Sequence, residues 1–173
     1  MPQGAKLRAR PVATPFHIVL VEPEIPPNTG AIARTCAATG SPLHLVGPLG
    51  FRIDAQAVRR AGLDYWPAVQ LQRHADFANF AHGHTGSLHL FSAQATQSYL
   101  DAPLRPGDAL VFGKESVGLP PALLDAHAGR VWGIPTLGPV RSLNLSNAVA
   151  IVLYEALRQS GALQHSYMAS EAP

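Results

Sequence analysis

The sequence predicts an α/β fold, in which a mostly parallel sheet carries helices on both faces. Short apolar runs typical of buried strands alternate along the chain with longer segments of helical pattern, and this alternation favours parallel strands joined by helical crossovers. The 173 residues are 47% hydrophobic and 14% charged, which suits one compact domain with a substantial core. We therefore expect a single domain over residues 16–160, a flexible leader at 1–15 and a tail at 161–173.

The individual elements follow from the apolar runs and from the residues that end them. Pro26 and Pro27 open the first helix and Gly40 closes it, whereas Gly161 ends the last one. In chain order, we predict strands over 17–21, 43–46, 69–71, 87–91, 109–112 and 131–134. We predict helices over 28–39, 54–61, 76–82, 121–126 and 145–159.

The last helix carries a further prediction about assembly. Residues 148–153 are apolar around the whole circumference of the helix, so every side of it must be covered. In a domain of this size we expect the extra cover to come from a second copy of the chain, in a homodimer. The alternative is a fully internal helix within one subunit.

Composition excludes several classes of protein. The single cysteine, Cys36, rules out an internal disulfide framework and fits a reducing cytoplasm, where we expect it in the core. The apolar runs are too short to span a bilayer, and none follows the basic N-terminus as a signal peptide would require. The eight histidines lack a matching cluster of carboxylates or cysteines, so we expect no metal site.

The charge of the chain permits nucleic-acid binding without requiring it. The net charge is only +2, so any contact with RNA must come from local groups of basic residues. These groups are Lys6-Arg8-Arg10, Arg52, Arg59-Arg60, Arg73 and Arg141. Scattered solvated charges are the alternative interpretation.

Three polar loops follow predicted strands, at the edge where open α/β sheets usually bind ligands, and we expect them to converge. The loop at 22–30 is stiffened by prolines and leads into a helix that carries Arg34. The loop at 112–120 has two glycines that let a backbone approach a ligand, although it matches neither a Walker nor a Rossmann pattern. The loop at 134–147 holds more hydrogen-bonding side chains than a helix cap needs. Taken singly, Asn28 is better explained as a helix cap and Arg34 as a surface cation.

Three segments together resemble the motifs of the SPOUT, or trefoil-knot, RNA methyltransferases. They are Glu-Pro-Glu-Ile-Pro-Pro-Asn-Thr-Gly at 22–30, Arg-Arg-Ala-Gly-Leu-Asp-Tyr at 59–65 and Ser-Leu-Asn-Leu-Ser-Asn-Ala-Val at 142–149. They are most similar to the tRNA (cytidine/uridine-34) 2′-O-methyltransferase branch, and the resemblance runs from about 17 to 159. It implies a C-terminal trefoil knot, S-adenosylmethionine as methyl donor, and the anticodon stem-loop of tRNA as partner of a homodimer.

The resemblance also implies roles for individual residues. Cofactor binding falls to Ala93, Gly113, Ile134, Ser142 and Leu143. Catalysis or substrate placement falls to Arg34, Asn28, Glu115, Ser142 and Asn144. Contacts with the RNA fall to Arg59, Arg60, Arg141 and Tyr154. Segments 114–117 and 137–140 depart from the pattern of the family, which leaves the choice of substrate open.

The chemistry implied is an in-line displacement of a methyl group from a sulfonium by a ribose hydroxyl. A guanidinium stays protonated, so our hypothesis is that Arg34 fixes an RNA phosphate and stabilises the developing alkoxide. Ser142 or Asn144 would orient the ribose. The alternatives are methylation of another tRNA or rRNA site, or a catalytically inert RNA-binding dimer of the same fold.

Overall fold

The computed structural model describes residues 5–52 and 65–169 of the chain. Its strands are β1 (Lys6–Ala9), β2 (His17–Val21), β3 (Leu43–Val46), β4 (Leu71–His74), β5 (Leu88–Phe91), β6 (Ala109–Phe112), β7 (Val131–Trp132) and β8 (Ser166–Ala169). Its α-helices are α1 (Pro26–Thr39), α2 (Phe77–Gly83), α3 (Pro121–Ala126) and α4 (Leu145–Gln159). The predicted helix at 54–61 lies outside the described residues. Within those residues, no helix is long and apolar enough to cross a membrane.

Six strands form one sheet in the order β4-β3-β2-β6-β5-β7, and every neighbouring pair is parallel. The order reverses at β2, because the chain moves outward to β3 and β4 on one side and returns to fill the other side. All six carboxyl ends therefore share one edge of the sheet. A ligand site is expected at that edge, next to the reversal.

Two hydrophobic clusters cover the two faces of this sheet. Ile18 and Leu20 of β2 point into the cluster that packs against α1 and α4, whereas Val19 and Val21 point into the one that packs against α2 and α3. This arrangement confirms the predicted parallel sheet with helices on both faces. The trefoil knot stays a prediction. Cys36 lies in the core as expected, and this burial raises the pKa of its thiol to about 12.

Some predicted boundaries were wrong for local reasons. β4 begins at Leu71 rather than at 69, because the Val69 N–H bonds to the carbonyl of Trp66 and closes a 3-10 turn before the strand. β7 ends at Trp132, because Gly133 leaves the strand to pair with the segment after β5. The first helix begins at Pro26, since first-turn N–H groups have no partner within the helix and proline loses nothing there.

A pair of strands near the first and last described residues was not predicted from the sequence. β1 pairs with β8 in an antiparallel ribbon, and Lys6 lies opposite Ala169. Both strands fall in segments that we expected to be a flexible leader and a tail. Neither strand has a strong apolar pattern of its own, and 156 residues separate Ala9 from Ser166.

A row of histidines crosses one face of the sheet. The Nδ1 atom of His17 lies 2.9 Å from Nε2 of His44, and Nδ1 of His44 lies 3.0 Å from Nε2 of His74. The ring of His84 stands edge-on to that of His17, with 5.0 Å between the centroids. Burial, with smaller contributions from the three neighbouring histidines, lowers the pKa of His44 to about 3. Among the described residues, no group of three or more His, Cys, Asp and Glu side chains is arranged to hold a metal ion.

This row predicts that acid destabilises the protein. The pKa of His44 is lower in the folded chain than its ordinary value, so below about pH 6.5 the unfolded chain binds a proton that the folded chain does not. The free energy of unfolding should therefore fall with pH by up to about 1.4 kcal/mol per pH unit for this one group. Denaturant unfolding between pH 7 and pH 5 measures the slope. His44→Gln should flatten it, whereas the exposed His82→Gln should leave it unchanged; an equal slope in all three proteins would contradict the assignment.

Candidate active site

Asn28 joins all three polar loops at the carboxyl edge of the sheet. Its amide nitrogen donates to Oε1 of Glu115, in the loop after β6, at 3.0 Å. Its amide oxygen accepts from Nδ2 of Asn144, in the loop before α4, at 3.0 Å. Asn28 itself lies in the first turn of α1 and is buried. The predicted convergence of the loops is therefore present within one subunit.

The first two loops hold each other through reciprocal bonds from side chain to backbone. Glu115 accepts from the backbone N–H of Glu24 at 2.8 Å and from that of Ile25 at 3.2 Å. In return, the carboxylate of Glu24 accepts from the backbone N–H of Ser116 at 3.0 Å, and bonding to Ser116 lowers the pKa of Glu24. Glu22 and Glu24 thus shape a loop, as the flanking prolines suggested.

An ion pair adds to the same junction. Nζ of Lys114 lies 2.9 Å from Oε2 of Glu22, and this bond raises the pKa of the lysine. Glu22, the residue directly after β2, has a φ of 50°. This left-handed conformation is uncommon for a residue with a side chain. Each loop therefore gives both a side chain and its backbone to the other.

Asn144 fixes the third loop. Its side-chain oxygen caps α4 by accepting from the backbone N–H of Ser146 at 2.9 Å and from the hydroxyl of Ser146 at 2.6 Å. With its nitrogen bound to Asn28, the Asn144 amide has both ends occupied. Ser142 and Arg141, two and three residues earlier, are exposed.

Gly113 closes its own loop. A Cβ added there would lie 2.0 Å from the carbonyl carbon of Gly118 and 2.2 Å from the nitrogen of Leu119, so only glycine fits. Gly118 has a φ of 76° and donates its N–H to the carbonyl of Lys114. Gly113 therefore allows a close approach between two parts of its own loop, and the predicted approach of this backbone to a ligand stays a prediction.

Arg34 stands one helical turn after Gly30 on α1, and its side chain is exposed. Its Cζ atom lies 5.4 Å from the centre of the Tyr65 ring, in cation–π geometry. The hydroxyl of Tyr65 donates to the carbonyl of Gly30 at 2.8 Å, so the tyrosine spans that turn. The aromatic ring positions the guanidinium without neutralising it.

Comparisons with known proteins fit this arrangement. Residues 15–154 match the SpoU rRNA Methylase family. The chain belongs to the SpoU methylase family. One relative, 46% identical over 148 residues that cover 84% of this chain and 94% of its own, is the tRNA (cytidine(34)-2′-O)-methyltransferase of Escherichia coli K12.

Solved structures agree. One concerns 2-OH methylation of C/U34 on tRNA; it has a TM-score of 0.78 and 48% identity, covering 84% of this chain and 96% of that one. Another is a SpoU methyltransferase from Streptomyces viridochromogenes in complex with AdoMet, with a TM-score of 0.69 and 26% identity over 86% of this chain and 62% of that one.

The residues expected to bind the cofactor lie on neighbouring loops at the same edge. Ala93 follows β5 and is exposed, whereas Ile134 follows β7 and is half-buried against the core. Leu143, just before α4, is half-buried. The loops after β5 and β7 touch by their backbones: a Cβ on Gly133 would lie 3.3 Å from the carbonyl oxygen of Ser92. Backbone groups and apolar side chains of this kind fit a nucleoside.

The expected RNA-binding residues do not join the junction. Arg141 is exposed on the loop before α4, and Tyr154 lies on the outer face of that helix. Arg59 and Arg60 lie outside the described residues.

The structure also places at the site several residues whose contacts were not predicted from the sequence. Tyr65 positions Arg34, Lys114 pairs with Glu22, and Ser146 bonds to Asn144. Tyr65 is the last residue of the motif at 59–65, and nothing else in the sequence indicated its role. The other contacts depend on which loops meet, which local sequence does not reveal.

Glu115→Gln tests the junction. The carboxylate accepts three N–H groups, whereas a glutamine offers one oxygen and would turn an NH2 group toward the remaining donors. We expect the free energy of unfolding to fall by about 1–3 kcal/mol, as measured by denaturant unfolding. Val117→Thr, at an exposed position in the same loop, is the control and should change it little. Unchanged stability in Glu115→Gln would show that the junction contributes nothing.

Proposed function

We propose that this chain transfers a methyl group from S-adenosylmethionine to the ribose 2′-hydroxyl of nucleotide 34, the wobble position, of tRNA. The family of the chain and the names of relatives that align along most of its length support this activity. The observation that carries it is the hydrogen-bonded junction of three loops through Asn28, which leaves reactive groups exposed beside the cofactor loops.

The five residues expected to act in catalysis divide into two groups by their contacts. Asn28, Glu115 and Asn144 have their side chains occupied by one another and by the backbone, so we assign them to positioning the loops. Arg34 and Ser142 are exposed, and their side chains take no part in the contacts that join the three loops. We therefore assign contact with the RNA to these two.

The cofactor, when bound, supplies the electrophilic methyl group on a sulfonium. In our proposal the loops that carry Ala93, Gly113, Ile134, Ser142 and Leu143 hold it. The protein then has to orient the ribose and stabilise the charge that develops on its 2′-oxygen. Arg34 fixes a phosphate and provides the positive charge, and the Ser142 hydroxyl orients the ribose.

The RNA surface extends beyond these residues. An anticodon loop offers unstacked nucleotides that a protein can reach, and its phosphates attract basic side chains. We assign Arg141, with Arg59 and Arg60, to these phosphates, whereas Tyr154, which was also expected at the RNA, is assigned to the subunit interface instead. A tRNA substrate and a single buried cysteine agree with a cytoplasmic location.

A homodimer explains the outer face of α4. Val149, Val152 and Leu153 of this helix are buried within the subunit, whereas Ile151 remains 38% exposed and Tyr154 48% exposed. Two large, exposed, mainly apolar side chains one turn apart on the same face of a helix are typical of an interface. We infer that the same face of a second copy covers them, so each RNA contacts a surface built by two subunits.

Arg34→Ala tests the role of the arginine. We expect single-turnover methylation to fall by about a hundredfold, because one preorganised positive group is lost from the developing alkoxide. The readout is 2′-O-methyl at nucleotide 34, mapped by mass spectrometry of the tRNA. Calorimetry with S-adenosylmethionine should show unchanged cofactor binding in the variant. Arg105→Ala, an exposed arginine at the opposite edge of the sheet, is the control.

The outcomes of this experiment separate the alternatives. Wild-type activity in Arg34→Ala would refute the role of the arginine. Methyl groups at another nucleotide would refute position 34, and wild-type protein that binds RNA without cofactor heat would identify an inert binder.

Ile151→Glu tests the dimer. A charge on this face would have to be desolvated in the interface, so we expect dissociation to monomers in sedimentation experiments. Asn79→Glu places the same charge on α2, on the other face of the sheet, and should leave the mass unchanged. A dimeric Ile151→Glu, or a monomeric wild-type protein, would contradict the interface.

A further inference from the structure

The ribbon formed by β1 and β8 lies outside the part of the chain that matches the family. The family match covers residues 15–154, whereas the ribbon pairs residues 6–9 with residues 166–169. Nothing in the proposed activity uses this ribbon. Its two faces nevertheless differ sharply in chemistry.

One face of the ribbon is basic and aromatic. Side chains alternate along a strand, and residues directly opposite each other share a face. Lys6 and Arg8 therefore lie on one face together with Tyr167, which pairs with Arg8, while Leu7 and Met168 lie on the other. Lys6 and Arg8 are exposed, and Tyr167 is 48% exposed.

We propose that this face, defined by Lys6, Arg8 and Tyr167, is an auxiliary docking surface for the RNA substrate. Two cations about 6.8 Å apart along one strand can each meet a phosphate, and an exposed tyrosine ring beside them can stack on a base or ribose. Charge complementarity commits the surface to a polyanion. The proposal rests on tRNA being the substrate, as inferred above.

The position of the ribbon indicates which part of the RNA it meets. β8 follows the C-terminal end of α4, whereas Asn144 and the junction of loops lie at the N-terminal end. Fifteen helical residues separate these ends by about 22 Å. Because the helix end that leads into the ribbon is the one remote from the site, we assign the ribbon to nucleotides other than the one that reacts. It contributes to binding and not to the chemical step.

The test compares the double variant Lys6→Gln/Arg8→Gln with the wild-type protein. We expect the Kd for full-length tRNA to rise about tenfold, and the slope of log Kd against log salt to become shallower by about one to two. The kcat at saturating RNA should stay at the wild-type value. Tyr167→Thr, which keeps a strand-forming residue, should weaken binding several-fold with little change in the salt slope.

Two matched proteins control for structural damage. Leu7→Thr alters the opposite face of the same strand and should bind RNA like the wild type. Lys6→Arg/Arg8→Lys exchanges the cations and should keep both the affinity and the salt slope. Circular dichroism of each variant should match that of the wild-type protein.

The results distinguish this proposal from the proposed function. Unchanged affinity and salt slope in Lys6→Gln/Arg8→Gln, with nucleotide 34 still methylated, would overturn the ribbon alone. Weakened binding in that variant, with no methyl group at nucleotide 34 in the wild type, would support the ribbon and overturn the wobble position. A loss of affinity in Leu7→Thr equal to that in the double variant would also overturn the ribbon.

Discussion

One buried amide holds the site together. The side chain of Asn28 has a donor and an acceptor. A buried donor or acceptor without a partner destabilises the folded protein, so both need a hydrogen-bond partner. Here Glu115 takes the donor and Asn144 supplies a hydrogen to the acceptor, so the pairing is complete only when all three loops are in place. No single loop can relax without leaving an unpaired group in the others.

This constraint explains why so few polar side chains at the site are free to act on a substrate. In the loop after β2, Glu22 is bound to Lys114 and Glu24 to Ser116. Glu115 is bound to the backbone of that loop. Arg34 is different, because the ring of Tyr65 fixes its direction without removing its charge. A rigid polar scaffold that presents two exposed groups suits a reaction in which the cofactor supplies the electrophile.

The sequence was informative wherever a signal is local. The apolar runs of β2, β3 and β6 and the helix α4 were predicted with their observed bounds, because burial on both faces leaves an unbroken apolar pattern. Asn28, Glu115 and Asn144 were predicted as site residues on the three polar loops. Their bonding to one another was not predicted, because it depends on contacts across 87 and 116 residues. The histidine row and the ribbon were missed for the same reason. Each of their residues is unremarkable by itself, and only the strand order makes them neighbours.

The pairing of β1 with β8 also constrains how the molecule is made. Lys6 is synthesised well before its partner Ala169, because every strand of the six-stranded sheet lies between them along the chain. β2 can pair with β3 soon after both strands are synthesised. Its other edge has no partner until β6 is synthesised. During translation the central strand therefore keeps one open, apolar edge that can pair with other nascent chains. The ribbon can therefore form only after every strand of the six-stranded sheet has been synthesised, because β8 follows them all along the chain.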